Sequence, residues 1–148
     1  MIIIVDGFDK CGRTTLANKL SKEISGVYET EPIPYKRPDS FWEMLSDLDF
    51  ISSHNANIVM DGSVMSDDSF DMSADELGIF GNFCNTHDIY FYFCHSKNYE
   101  KMKELSELTD DMFGDHGRKI YDKYTALHMF CPIITYDIYP MNEEKGGD

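Results

Sequence analysis

Apolar and polar residues alternate along the chain in blocks that predict strands and helices in turn. The chain opens on the β-branched run Ile2–Val5, which is typical of a strand buried on both faces. Apolar runs predict four further strands, at 27–28, 57–61, 89–94 and 132–136. Apolar residues at helical spacing predict helices between these strands, over 14–24, 41–51, 74–84, 98–108 and 118–130, with Ser40 as an N-cap.

The remaining segments are polar, acidic or rich in proline. Three prolines predict an extended loop over 32–38, and aspartates predict a polar loop over 62–73. The acidic, glycine-bearing stretch 109–117 is expected to be a mobile loop. We expect one domain over 1–141, followed by a disordered tail over 142–148.

Strands that alternate with helices predict an α/β fold, a doubly wound five-stranded parallel sheet with helices on both faces. In such sheets, ligands bind beyond the carboxyl ends of the strands. The loops that follow the first four predicted strands, after Val5, Tyr28, Asp61 and Cys94, are therefore expected to share one cleft.

Composition narrows the class of partner and the compartment. A hydrophobic content of 42% in 148 residues is enough for one core, and a net charge of −14 argues against nucleic-acid and anionic-membrane surfaces. The opening apolar run is far too short for a signal peptide or a membrane span. The four cysteines form no CxxC pair and no zinc spacing, which is typical of reduced thiols in a cytoplasmic protein.

The segment directly after the first strand has the composition of a phosphate-binding loop, Gly7-Phe8-Asp9-Lys10-Cys11-Gly12-Arg13-Thr14. Its two glycines allow several backbone N–H groups to point at one phosphate, and the helix that follows adds its positive end. The Thr14 hydroxyl is placed to bind Mg²⁺, and Thr15 to contact an inner phosphate. We therefore predict a nucleotide triphosphate site here, with ATP and Mg²⁺ as cofactors.

Four segments carry a resemblance to known kinases. Residues 6–16 resemble the opening of thymidylate kinases, Thr30-Glu31-Pro32 is similar to the Thr-Glu-Pro of deoxynucleoside kinases, and Val59-Met60-Asp61-Gly62-Ser63 lies where those families have Asp-Arg-Tyr or Glu-Arg-Ser. Trp42-Glu43 is similar to the Arg-Trp-Glu helix of the same families. The resemblance implies a P-loop kinase that transfers the ATP γ-phosphoryl group to a nucleoside or nucleoside monophosphate, commonly as a homodimer.

The chain departs from these families at several basic positions. Arg13 stands where lysine is expected, and Thr30 and Gly62 stand where arginines are expected. The arginine-rich lid is reduced to an acidic loop that ends in Arg118 and Lys119. Because arginines at these places neutralise phosphates in transfer, the remaining basic candidates are Lys36, Arg37 and Arg118, with Arg13 and Arg118 as catalytic candidates.

Two carboxylates are candidates for catalysis. If the acceptor is a hydroxyl, Glu31 is placed to take its proton; otherwise Glu31 orients the sugar or Mg²⁺-bound water, or is a solvated loop residue. Asp61 suits an outer-shell Mg²⁺ contact, or it is the turn-forming aspartate before Gly62.

The acceptor side is predicted from further residues. Asp9 and Arg37 are candidates for acceptor contacts, and Phe41 and Trp42 for an aromatic wall against a base, although at least one of the two is expected in the core. Tyr35 and Phe70 are weaker candidates for that wall. The loop aspartates either bind a cation or are a solvated acidic face: Asp67, Asp68 and Asp71.

Three functions follow in order of preference. The first is phosphoryl transfer to a deoxynucleoside monophosphate, dTMP or a modified pyrimidine monophosphate, and the compact length favours a phage origin. The second is a kinase that acts on a hydroxyl of a deoxynucleoside or of a modified DNA base. The third is a non-catalytic nucleotide-binding protein, which the arginine at position 13 and the reduced lid favour.

Overall fold

The computed structural model describes residues 1–7, 13–25, 31–54, 57–67, 69–95 and 110–137. Its five strands are all parallel and stand in the order β2-β3-β1-β4-β5. Their bounds are β1 Ile2–Gly7, β2 Ile33–Pro34, β3 Ile58–Asp61, β4 Ile89–His95 and β5 Ile133–Asp137. The register pairs Val5 with Asp61 on one side of β1 and Gly7 with Cys94 on the other, so the ends of the three central strands lie together.

Four helices cover the sheet within the described ranges: α1 Arg13–Ser25, α2 Phe41–Ser53, α3 Ala74–Thr86 and α4 Asp110–His128. The two faces of β1 carry separate apolar clusters because successive side chains of a strand point to opposite faces. Ile3 and Val5 pack with α1, whereas Ile2 and Ile4 pack with α2, α3 and α4. The predicted doubly wound parallel fold is therefore confirmed.

Local sequence signals account for where two of these helices begin. The Ser40 hydroxyl accepts a hydrogen bond from the Glu43 backbone N–H at 3.1 Å, as predicted for an N-cap. Ser73 and Glu76 form a reciprocal capping box at the start of α3, with hydrogen bonds of 3.1 and 2.9 Å.

One predicted loop contains a short strand, and another is helical. The proline-rich stretch is extended, as predicted, but Ile33–Pro34 form the strand β2 at the sheet edge, where a proline is tolerated because no ladder partner needs its N–H. The stretch expected as a mobile loop over 109–117 is helical from Asp110 onward and continues into the last predicted helix. Aspartates at a helix start suit its positive end, which offsets their low helix propensity.

Several predictions fall outside the described residues: the strand at 27–28, the helix at 98–108 and the tail at 142–148. No helix within the described ranges is long and apolar enough to cross a membrane. Cys84, Cys94 and Cys131 are buried and unbridged.

Candidate active site

The candidate site lies where the strand order reverses, beside β1. Parallel sheets bind ligands at this point, beyond the carboxyl ends of the strands. Gly7 ends β1 with φ 149°, Asp61 ends β3, and α1 begins at Arg13. The Gly62 backbone N–H donates to the Val5 carbonyl at 2.8 Å, which keeps the end of β3 in register with β1.

Arg13 contacts the ends of β1 and β3. Its Nε donates to Asp61 Oδ1 at 3.1 Å and its Nη1 donates to Ser66 Oγ at 3.2 Å. The same Nη1 lies 3.6 Å from Asp6 Oδ1. The guanidinium group is therefore directed at the sheet ends and at the segment after β3.

Thr14 and Asp61 present two hard oxygen groups side by side. Thr14 Oγ1 donates to Asp61 Oδ2 at 2.8 Å, and Thr14 is exposed. Hydroxyl and carboxylate oxygens fit Mg²⁺, which retains several waters and is completed by substrate phosphates. Among the described side chains, no three of His, Cys, Asp and Glu gather as a metal cage. The donor set thus fits a magnesium ion shared with a phosphate.

Asp6 is a fully buried carboxylate beneath this site. Its Oδ1 accepts the Gly7 backbone N–H at 3.0 Å, and its Oδ2 accepts the Ser63 hydroxyl. Burial raises the pKa of Asp6, although these hydrogen bonds and the Arg13 charge act in the opposite direction. The buried Tyr124 hydroxyl has no partner at hydrogen-bond geometry within the described ranges, while burial and the Asp6 charge raise its pKa.

A second cluster forms around Asp67, in the loop after β3. Arg37 binds its carboxylate in a bidentate pair at 2.7 and 2.8 Å, and the Tyr35 hydroxyl donates to it at 2.7 Å. Ser69 adds a hydroxyl hydrogen bond at 2.7 Å. Partial burial alone raises the pKa of Asp67, but these hydrogen bonds outweigh it and hold the pKa well below the ordinary value.

Lys123 of α4 forms hydrogen bonds with the same loop. Its Nζ donates to three backbone carbonyls, those of Val64, Asp67 and Phe70, at 3.0, 2.7 and 2.6 Å. One ammonium therefore gathers the loop that carries both Ser66 and Asp67. The partners of Arg13 and Arg37 in this loop are consequently tied to α4.

A pocket of about 80 Å³ opens between α2, the middle of β1 at Ile4 and β3 at Met60. Its wall is mostly apolar and includes Met44 and Leu48 of α2 and Phe80 of α3. The polar side chains at its wall are Tyr35, Lys36, Asp47 and Ser63. The pocket thus combines an apolar interior with one cation and one carboxylate.

The predicted site residues are distributed unevenly around this geometry. Gly7, Arg13, Thr14 and Asp61 come together, and Thr15 lies exposed in the first turn of α1. Asp9, Lys10, Cys11 and Gly12 lie outside the described residues, as do Tyr28 and Asp68.

The acceptor-side candidates are spread more widely. Glu31 and Arg118 are exposed, and Arg37 is held by Asp67. Phe41 is buried in the core at 5% exposure, while Trp42 is 63% exposed and meets the Phe41 ring edge to face at 5.2 Å. Phe41 is thus the core aromatic that was expected among this pair.

Sequence reasoning missed the contributions of Ser63, Ser66 and Lys123. Each acts across a long sequence separation, such as the 59 residues between Lys123 and Val64. Ser63 ends the Val59–Ser63 segment that resembles the kinase families, and the small polar residues that follow it were the available signal. Lys123 had no signal beyond its place on a helix.

Comparison with known proteins supports the fold. No protein-family model matches the chain, and no curated protein sequence matches it. Its structure is similar to that of the YorR protein of Bacillus subtilis in complex with phosphorylated GDP, with a TM-score of 0.59 and 19% sequence identity. The similarity covers 93% of this chain and 84% of YorR.

Proposed function

We propose that this chain is an ATP-dependent phosphotransferase whose acceptor is a deoxynucleoside monophosphate, dTMP or a modified pyrimidine monophosphate. The observation that carries the proposal is the Thr14–Asp61 contact at the reversal of strand order, directly after a phosphate-loop sequence. The nucleotide in the YorR complex, a protein of the same fold, is consistent with a nucleotide site here.

Phosphoryl transfer depends on positioning and on neutralising charge. In the proposal, the loop backbone and the N-terminus of α1 bind the phosphates, and Thr14 and Asp61 hold the cation. Bound Mg²⁺ neutralises the charge that develops on the phosphoryl oxygens. In the proposal, Arg118, which is exposed, supplies a further positive charge to the bound phosphates.

The pocket beside α2 is the proposed place for the acceptor. Its apolar wall suits one face of a pyrimidine ring, while a volume of about 80 Å³ leaves the rest of the nucleotide outside the pocket. Lys36 supplies a charge for the acceptor phosphate. A screen of nucleoside monophosphates for ADP release tests this, with dTMP and modified pyrimidine monophosphates expected to turn over. Lys36→Gln should raise KM for the acceptor, and Lys19→Gln, an exposed change on α1, is the matched control. If no monophosphate is turned over, the acceptor is not a nucleoside monophosphate.

The second candidate is a kinase that acts on a hydroxyl. It is favoured because Arg37 is already bound by Asp67 and Gly62 replaces an arginine, which leaves fewer cations for an acceptor phosphate. Glu31→Gln separates the two candidates. A collapse of kcat indicates that Glu31 removes a hydroxyl proton, whereas a minor loss, equal to that of the exposed Glu43→Gln, indicates a phosphate acceptor.

A third candidate, nucleotide binding without catalysis, is favoured by the contact of Arg13 with Asp61. Calorimetry that shows ATP binding, together with an ADP-release assay that shows no transfer with any acceptor even in Arg13→Lys, would select it over both kinase assignments.

A further inference from the structure

Both carboxylate oxygens of Asp61 are already engaged within the protein. Arg13 Nε binds Oδ1 at 3.1 Å, and Thr14 Oγ1 binds Oδ2 at 2.8 Å. The two side chains that form the ion pair are partly shielded from solvent, with exposures of 30% for Arg13 and 17% for Asp61. Water therefore screens this pair less than it screens a pair on the open surface.

The guanidinium group is fixed by more than one partner. Besides Asp61, it contacts Ser66 Oγ at 3.2 Å and approaches the buried Asp6 carboxylate at 3.6 Å. A planar guanidinium presents its donors in a rigid fork, whereas a lysine ammonium is a compact charge on a flexible stem. Arginine at this position consequently places a lasting positive charge against Asp61.

A divalent cation that approaches Asp61 meets this charge. The cation needs an Asp61 oxygen, directly or through a bound water, and Arg13 occupies one of the two. Like charges that share one carboxylate disfavour each other, so binding of the cation weakens the arginine contact and the arginine weakens binding of the cation.

We propose that Arg13 competes with the divalent cation for Asp61 and so sets how readily the site takes up metal. The inference rests on the proposed function, since that function makes Thr14 and Asp61 the residues that hold the cation. Arg13 does not bind the metal itself; it acts on the metal site through its contact with Asp61.

The test is a calorimetric titration of the full chain with MnCl₂ and with MgCl₂, in the absence of nucleotide. Arg13→Gln is expected to bind the metal about tenfold more tightly than the wild type, a usual size for coupling between two ligands. Arg37→Gln is the matched control because it also frees a carboxylate, that of Asp67, and makes the same change in net charge. Its affinity should stay near that of the wild type.

Two further variants keep the result attributable to Asp61. Arg13→Gln combined with Asp61→Asn should lose the gain in affinity. Arg13→Lys keeps a positive charge beside Asp6 but loses the Nε donor, so it should show a smaller gain and stands in if Arg13→Gln does not fold. Circular dichroism of each variant reports folding.

The inference is overturned by equal metal affinity in the wild type and in both Arg13 variants, including no binding by any of them. It is also overturned by an equal gain in Arg37→Gln or by a gain that survives Asp61→Asn. Nucleotide titrations of the same preparations report on the proposed function separately. If no preparation binds nucleotide but the Asp61-dependent gain is present, the proposed function fails and the competition stands.

Discussion

Lys123→Met removes the ammonium that gathers the loop after β3. The substitution keeps an apolar side chain of similar length, so packing of the stem is largely retained. It leaves the Val64, Asp67 and Phe70 carbonyls without the hydrogen bonds of 3.0, 2.7 and 2.6 Å that Lys123 donates. Among the residues that the structure describes, the substitution thus removes one charge and the donor of these three carbonyls.

The size of the effect follows from those three contacts. A hydrogen bond to a charged group contributes about 1.5–3 kcal/mol, so independent bonds give an upper bound of about 4.5–9 kcal/mol. The bonds share one ammonium and are not independent. Asp67 and Phe70 are half-buried, so water can reach their carbonyls after the change, whereas Val64 is buried. We expect a loss of about 2–4 kcal/mol in the free energy of unfolding.

Urea denaturation of Lys123→Met and Lys119→Met measures this loss. Lys119 is exposed and lies one turn earlier on α4, so its substitution makes the same change in charge without touching the loop. The native proteins should also be digested with a protease that does not cleave at lysine. Cleavage within residues 63–70 should be faster in Lys123→Met only. If the free energies of unfolding of the two variants differ by less than about 0.5 kcal/mol, Lys123 does not stabilise this loop as proposed.

Three further predictions concern single residues around the site. Gly62→Ala should lower the free energy of unfolding by about 1–3 kcal/mol in urea denaturation, since Gly62 has φ +97° and an added Cβ would lie 3.0 Å from Tyr35 Cβ; no loss would contradict the strain argument. The lowered pKa of Asp67 means that its stabilisation is present above the unfolded value of 3.8 and is lost as pH falls through the lower folded value, so Asp67→Asn should flatten the acid side of a plot of Tm against pH; a parallel acid limb would count against this. Tyr124→Phe removes a buried hydroxyl that has no partner at hydrogen-bond geometry among the described residues, and it should leave the free energy of unfolding unchanged or raise it by about 1 kcal/mol. A loss of that size would show that the hydroxyl donates to the Asp6 carboxylate; burial and the nearness of this carboxylate both raise the pKa of Tyr124.

The fold was largely predictable because its signals are local and repeated. The β-branched run of β1 and the aromatic run of β4 predicted strands, and the serine at position 40 predicted the start of α2. The alternation of these elements then led to the parallel sheet. The start of α4 was missed because aspartate and glycine have low helix propensity, and helical context overrode that preference.

The site was predictable only where sequence neighbours carry the chemistry. Thr14 follows Arg13 in a recognisable loop, and Asp61 ends a strand, so their meeting follows from the parallel sheet. The partner of Arg13 could not be predicted in the same way. The Arg13 guanidinium can donate to a phosphate, a carboxylate or a hydroxyl, and only the folded structure decides which of these lies within hydrogen-bond distance. The Arg37–Asp67 pair joins residues 30 positions apart and likewise depends on how the loop folds back.

The charge of the site differs from the charge of the chain. The protein carries a net charge of −14, which repels phosphates at long range. Around the ends of β1 and β3, however, the carboxylates of Asp6, Asp61 and Asp67 lie against Arg13 and Arg37. The Lys123 ammonium adds a further positive charge at the Asp67 backbone carbonyl. At physiological salt the more distant acidic residues are screened over about 8 Å, so a nucleotide that reaches the cleft meets this local balance and not the net charge.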